Sequence, residues 1–390
     1  MSALTERFAE VFDAVGAEAI TRERERRLPY PEIELLRSAG FTKVTLPREF
    51  GGDAVTHSEF FELLVELARR DSNLAQLFRS HFSFVDRTVL SPPSAQRDAR
   101  LKLVAEGAII GNASHEKSAA KVGSLSTTLS DDLVRDGTKF YSTGTLFADV
   151  VSVAASRGDS VVGVLVDTDA PGVERVDDWT GFGQRMTGSG TTIFNSVAVS
   201  EDDVVSFDRS LPSHGGAFVQ LVLLAAVTGI GRAIVDDAVS YLRARTRTYS
   251  HGSAATVQQD PLVQEVVGNL SAHSFAADSA LDAAARGLDA SAAAITGGAD
   301  AATISARIAD VEFATTRAQL VVLPHVLTAA TELFDVGGAS AIDTGLALDR
   351  HWRNARTIAS HNPAKYRARD VGDHLINNTP IVAWWSTGEA

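Results

Sequence analysis

The 390-residue chain reads as an α+β protein in which a helical part, a β part and a second helical part follow one another. Three observations predict this. Apolar residues recur at helical spacing up to about residue 105 and again from about residue 212. Apolar and β-branched runs of strand length fill the stretch between, and no helix-length pattern separates them. Without interleaved helices the strands should pair antiparallel rather than as βαβ units. The expected division is an N-terminal helical domain over 1–107, a central β domain over 108–208 and a C-terminal helical bundle over 209–390.

In the first part Leu4, Phe8, Val11, Phe12 and Val15 share one helix face, as do Ile33 with Leu36, and Phe60, Leu63, Leu64 and Leu67. Pro29, Pro31, Gly51-Gly52 and Pro92-Pro93 punctuate these helices. In the second part, "KFYSTGTLFADVVSVAAS", "SVVGVLVD" and "TTIFNSVAV" are strand-like. Asp136-Gly137, Arg157-Gly158-Asp159, Ala170-Pro171-Gly172 and Gly188-Ser189-Gly190 supply turns. In the third, Ala-rich helical patterns cover 216–247, 258–296, 300–334 and 344–360, which suggests an antiparallel four-helix bundle.

Composition excludes several classes. The net charge of −13 and the scatter of Lys and Arg leave no basic stripe for nucleic acid. The absence of cysteine removes disulfides, thiolate nucleophiles and Cys-based metal sites. The N-terminus lacks a secretory pattern, and the longest apolar stretch, 218–234, is broken by Gln220, Thr228, Gly231 and Arg232, so a cytoplasmic protein without a membrane span is expected. "GIGRAI" from Gly229 lacks the third glycine and the preceding strand of a dinucleotide site, and close helix packing reads better. Ser114 and Lys117 match S-x-x-K without its partner motifs. His351 and His361, ten apart, do not aim at one metal, no H-E-x-x-H occurs, and no metal site is expected.

The segment "HWRNARTIASHNP" (351–363) concentrates arginine, histidine and tryptophan in an acidic chain, as a ligand site, a subunit contact or a catalytic element would. Taken with "LPREFGG" (46–52), "ELARRDSNLA" (66–75) and "FDVGGASA" (334–341), the order of parts resembles the acyl-CoA dehydrogenase superfamily over essentially the whole chain. "GNASHE" (111–116), "DGTKFYSTGTLFAD" (136–149), "DWTGFGQRMTGSGT" (178–191) and "LDRHWRNARTIASHNPAKY" (348–366) resemble its dibenzothiophene-monooxygenase and sulfur-acquisition branch.

That resemblance implies a central antiparallel β-barrel, a homotetramer assembled through the bundle, and flavin between the two. It implies a two-component monooxygenase: an NAD(P)H:flavin reductase supplies reduced FMN or FAD, oxygen adds to give a C4a-hydroperoxyflavin, and a hydrophobic, aromatic or heteroaromatic substrate is oxygenated at C, N or S. The dehydrogenase base is missing from both of its family positions, which read Ser360-His361-Asn362-Pro363 and Phe218-Val219-Gln220. Without it, α,β-dehydrogenation has no proton acceptor. An acyl-CoA dehydrogenase with an unrecognised base, and a non-catalytic flavin-binding or structural protein, are the competing readings.

Carried onto this chain, the resemblance implies His361 as the catalytic group that donates to a flavin-bound oxygen species, with Asn362 beside it. Ser142 and Thr143 would face the flavin N5/C4a side next to Phe140, and Asn112 and Ser114 the ring edge. Trp179 would wall the ring, and Thr187 or Ser189 would reach ribityl or phosphate oxygens. Gly337 and Gly338 belong to the flavin set. Arg247 would meet the phosphate or end a solvated helix, and His81 would line the substrate pocket or serve the core.

Overall fold

The computed structural model describes residues 2–117, 125–206, 213–248 and 250–381. Seven helices open the chain: α1 (Ala3–Gly16), α2 (Ala19–Glu25), α3 (Tyr30–Ser38), α4 (His57–Arg70), α5 (Ser72–Leu77), α6 (Arg79–Leu90) and α7 (Ala95–Ala105). Their starts are set locally. Thr56 and Glu59 form a reciprocal capping box on α4, Asp71 caps α5 and Ser94 caps α7.

Among the described residues eight strands follow: β1 (Ile110–Ala113), β2 (Thr128–Leu129), β3 (Val134–Lys139), β4 (Val150–Arg157), β5 (Ser160–Asp167), β6 (Val173–Val176), β7 (Thr191–Ala198) and β8 (Val204–Ser206). They form one sheet in the order β6-β7-β3-β2-β4-β5-β8, with β1 also on β4. This corrects the antiparallel barrel. β1 and β2 both run parallel to β4, and among the described residues the edge strands β6 and β8 do not pair, so the sheet is curled and open. The path from β1 to β4 passes through β2 and β3, a connection long enough for parallel pairing.

The run "KFYSTGTLFADVVSVAAS" is also not one strand. β3 ends at Lys139, the backbone reaches φ 57° at Tyr141 and 81° at Gly144, a 3-10 turn covers Thr145–Phe147, and β4 begins at Val150.

Helices return as α8 (Gly215–Ala244), α9 (Pro261–Thr296), α10 (Ala301–Glu332), α11 (Asp349–Ala359) and α12 (Ala364–Asn377). Only α8, α9 and α10 are long. The expected fourth bundle helix is the short α11, and α12 was not foreseen because Pro363 read as a stop; here it precedes the first turn of a new helix, where its missing N–H costs nothing. The N-terminal α4 packs along α8 instead.

That packing explains "GIGRAI": a Cβ on Gly229 would lie 2.4 Å from the Ala68 Cβ and 2.6 Å from the Val65 carbonyl oxygen, so glycine lets α4 and α8 touch. One apolar core runs from Phe8 through Phe60, Phe82 and Leu221 to Val336, joining both helical parts, while the sheet keeps its own around Val151, Val164 and Phe194. α8 and the stretch Ala301–Val336 are each long and apolar enough to cross a membrane by length and composition, contrary to the reading of 218–234 as too broken. The apolar surface of α8 is packed inside the protein, where 83% of its most apolar window is buried.

Candidate active site

The interrupted run at 140–147 is where three parts of the chain meet. Gly144 sits against the Leu77 carbonyl, Ser80 Oγ donates to the Thr143 carbonyl at 3.5 Å, and the neighbouring Arg79 Nη1 donates to His361 Nε2 at 3.1 Å. The loop after β3, the start of α6 and the link between α11 and α12 thus converge. Asn362 anchors that link to the bundle: its side chain donates to Gln220 Oε1 at 2.6 Å, and its carbonyl accepts from Gln319 at 2.8 Å.

Arg79 is nearly sealed from water, and among the described residues no carboxylate pairs with it. Burial lowers its pKa to about 10, still well above neutrality, so the site holds an unneutralised cation. His361 is open to solvent on one side yet walled in by protein. That surround, and then the charges of Arg79 and His115, lower its pKa to about 3 against the opposing bond to Asn362. With Arg79 donating to Nε2, the ring is neutral and carries its proton on Nδ1. At neutral pH His361 is therefore an uncharged imidazole that holds no surplus proton.

Ser142 is 1% exposed, and among the described residues its Oγ has no hydrogen-bond partner. An orphaned buried hydroxyl costs roughly 1–3 kcal/mol. It lies one residue from the Ser80–Thr143 contact, as Arg79 does from the other side, and it fits the donor set a flavin ring needs: a free hydroxyl, a fixed N–H and a cation for an electron-rich ring.

Other expected flavin residues do different work. Thr143 Oγ1, Ser189 Oγ and Thr187 Oγ1 form a hydroxyl chain with steps of 2.8 and 2.7 Å, and Thr187 ends it on the Gln184 carbonyl at 2.9 Å. These groups tie the 140s loop to the 184–190 loop, which is the work Thr187 and Ser189 do within the chain. Asn112 and Ser114 satisfy each other at 2.6 Å, and Asn112 N–H donates to Thr145. The Phe140 ring lies under Lys117 Nζ at 3.2 Å, which also removes the S-x-x-K reading. Trp179 donates to the Gly183 carbonyl and stands 6.0 Å from the Tyr141 ring, so these two aromatics flank the loop.

Of the two readings of His81, the structure favours the core: it is fully buried, its Nε2 donates to the Thr42 carbonyl at 2.7 Å, and its Nδ1 accepts from Ile110 N–H at 3.2 Å. Gly337 and Gly338 lie elsewhere. A Cβ on Gly337 would sit 2.6 Å from Tyr241 Oη near the far end of α8, and the exposed Arg247 follows that same end. Two arginines of α11 hold the fold, since Arg350, with His351, bonds Asp237 while Arg353 bonds Glu23 and Asp349.

Sequence reasoning missed Arg79, which lies in "RSHFSF" about 200° around the same helix from His81. It also missed Glu312, a buried carboxyl that accepts from Ala217 N–H at 2.9 Å and whose pKa burial raises to about 7.

Comparison with known proteins relates the whole chain to flavin monooxygenases. Residues 221–366 match the acyl-CoA dehydrogenase C-terminal domain family. The dibenzothiophene monooxygenase of Mycolicibacterium goodii is 29% identical over 375 residues, covering 91% of this chain and 89% of its own length. The "Probable FMNH2-dependent monooxygenase SfnC" of Pseudomonas putida is 26% identical, covering 94% of this chain and 93% of its own. The crystal structure of TdsC from Paenibacillus sp. A11-2 with FMN and indole superposes with a TM-score of 0.87 at 24% identity, over 97% of this chain and 98% of that one. The chain has the acyl-CoA dehydrogenase-like fold, with a curled half-barrel sheet among its helices, and is a homologue of the dibenzothiophene monooxygenases.

Proposed function

We propose that this chain is the oxygenase of a two-component system. It takes reduced FMN or FAD from a separate NAD(P)H:flavin reductase and oxygenates a hydrophobic, aromatic or heteroaromatic substrate at C, N or S. The observation that carries the reading is the Arg79–His361 pair next to the unpartnered Ser142 hydroxyl, in a chain homologous to flavin monooxygenases.

When bound, reduced flavin supplies the two electrons that activate oxygen. Arg79 holds a positive charge toward the electron-rich ring without a carboxylate to cancel it. Ser142 offers the ring a hydroxyl, and the hydroxyl chain through Thr143, Ser189 and Thr187 keeps that loop in place. His361 stands neutral at the site, its ring fixed by Arg79 at Nε2 and by the bond to Asn362, as part of a preorganised set of dipoles. Trp179 and Tyr141 cover one flank and limit water.

Gly337, Gly338 and Arg247 fit this scheme only through a second copy. Gln220 and Tyr241 are 21 residues apart on α8 (241 − 220), or about 32 Å, too far for one FMN to touch both ends. We take the homotetramer as the assembly that brings the far end of one α8 to the ring site of another chain.

The test is to mix photoreduced FMN, oxygen and indole with the protein and measure oxygenated product against hydrogen peroxide. Flavin should also leave on dialysis. Arg79→Met should weaken reduced FMN about tenfold more than oxidised FMN, because one charge contact at an effective dielectric of 20–80 is worth roughly 1–4 kcal/mol. Anaerobic bleaching of a tightly held FAD by an acyl-CoA thioester would overturn the reading in favour of the dehydrogenase. One observation speaks for that second reading: Glu312, poised near pKa 7, lies close to the start of α8. It sits two turns along α10 from Gln319, roughly 10 Å from the residue that touches Asn362, and its carboxyl caps α8. If Glu312 were a base, Glu312→Gln would abolish the bleaching.

A further inference from the structure

We infer that His57, Asp86 and His214 form a binding site for one divalent transition-metal ion of the zinc class, away from the flavin site. The three side chains come from α4, α6 and the residue that caps α8, and their ligand atoms lie within 4.8 Å of one another. His57 Nε2 is 2.7 Å from Asp86 Oδ1, and His214 Nε2 is 3.2 Å from Asp86 Oδ2. A tetrahedral zinc ion with bonds of about 2.0–2.1 Å sets its ligand atoms roughly 3.3 Å apart. Small side-chain shifts convert one arrangement to the other.

The outer contacts are those a metal-bound histidine has. Such a ring directs its second nitrogen to a carboxylate, carbonyl or hydroxyl, which fixes its tautomer and aim. His57 Nδ1 faces Asp289 Oδ1 at 3.3 Å, and His214 Nδ1 faces Ser291 Oγ at 2.5 Å, both acceptors on α9. Asp289 is itself held by the His57 and Ser58 backbone N–H groups, at 2.6 and 3.2 Å, and by the Ser58 hydroxyl. The two imidazole rings stand edge to face at 5.3 Å, with Phe218 against His57.

The site is also reachable and unlike a surface acidic cluster. His214 is fully buried and the Asp86 side chain 9% exposed, while His57 at 16% and Asp289 at 31% leave a path for an ion, with water as the fourth ligand. Metal replaces the protons shared between Asp86 and the two Nε2 atoms, so binding releases protons and weakens in acid. The sequence scan could not see this constellation, because its ligands lie 29 and 128 residues apart and follow no short motif.

The experiment uses the full chain, stripped with a chelator and titrated with Zn2+ by calorimetry and by competition with a chromophoric chelator. One ion per chain is expected, with a dissociation constant of roughly 1 μM or tighter. Co2+ should give the intense visible bands of four-coordinate nitrogen and oxygen ligation, and saturating Zn2+ should raise Tm by a few degrees. His57→Gln should weaken Zn2+ by about 100-fold, whereas His361→Ala should leave uptake unchanged. Absence of saturable uptake, a pale six-coordinate cobalt spectrum, or uptake that survives His57→Gln would overturn the site. Because His214 is wholly buried, the decision rests on the unmodified chain and on the partly exposed His57.

Discussion

Replacing Arg79 by Met tests the candidate site at its electrostatic centre. The substitution keeps the apolar stem, removes a guanidinium that no carboxylate balances among the described residues, and takes away the 3.1 Å donor to His361 Nε2. Two unit charges about 4 Å apart interact by roughly 1 kcal/mol at a dielectric of 80 and 4 kcal/mol at 20. At about 1.36 kcal/mol per pK unit, those limits correspond to about 0.8 and 3 units. His361 is open to water on one side, so its pKa should climb from about 3 by one to two units, within those limits. It should stop short of 6.5, because burial is the larger cause and remains. The assay is an NMR pH titration of labelled protein, with the His361 resonance identified by its loss in His361→Gln. An Arg79→Met protein in which His361 titrates within about 0.3 unit of wild type would refute the pairing. Stability should not fall, since an uncompensated buried charge is removed and not created.

His361→Ala should keep the fold and flavin binding but lose oxygenated product by roughly 100-fold or more, with consumed oxygen returning as hydrogen peroxide; near-normal product yield would make the residue structural. Glu116→Gln should destabilise the chain by about 3–5 kcal/mol in urea unfolding, because it leaves Lys139 buried without the carboxylate now 2.6 Å away; a loss under about 1 kcal/mol would contradict the pairing. His81 sets an acid limit: its pKa is pushed down to about 4, mainly by burial, so the folded form resists a proton that the unfolded chain accepts near pH 6.5. Its contribution is complete above pH 6.5 and falls by about 3 kcal/mol as the pH drops to 4. His81→Asn should therefore flatten the pH dependence of the urea midpoint over that window, and an unchanged slope would refute it.

The long helices and the strands β4, β5 and β7 could be read because their apolar residues repeat with the period of the structure they form; β5, for instance, coincides with "SVVGVLVD". The site could be read only in part, for reasons visible at single residues. A tyrosine at φ 57° gives no sign in sequence, so the break in the run after Lys139, which creates the candidate site, was invisible. His81 drew attention as a titratable residue, yet helix geometry turns it away from the cleft and turns Arg79 toward it. Gly337 and Gly338 follow the family pattern, but within one chain Gly337 serves the packing of Tyr241. His361 and Ser142 were found through resemblance. Their pairing with a buried cation required the fold, since Arg79 and His361 lie 282 positions apart.

The length of α8 has a consequence for how this chain can vary. Its start carries His214 and Gln220, its middle presses Gly229 onto α4, and its end carries Tyr241 beneath Gly337. All of these contacts depend on one angular phase. Removing a single residue near Gly229 would rotate everything beyond it by about 100° and shift it by about 1.5 Å. Tyr241 would swing away from Gly337, and Asp237 from His351, while the Gln220–Asn362 contact stayed in place. Relatives that keep both ends working should therefore differ from this chain along α8 by substitution and not by insertion or deletion, with length changes confined to the loops on either side.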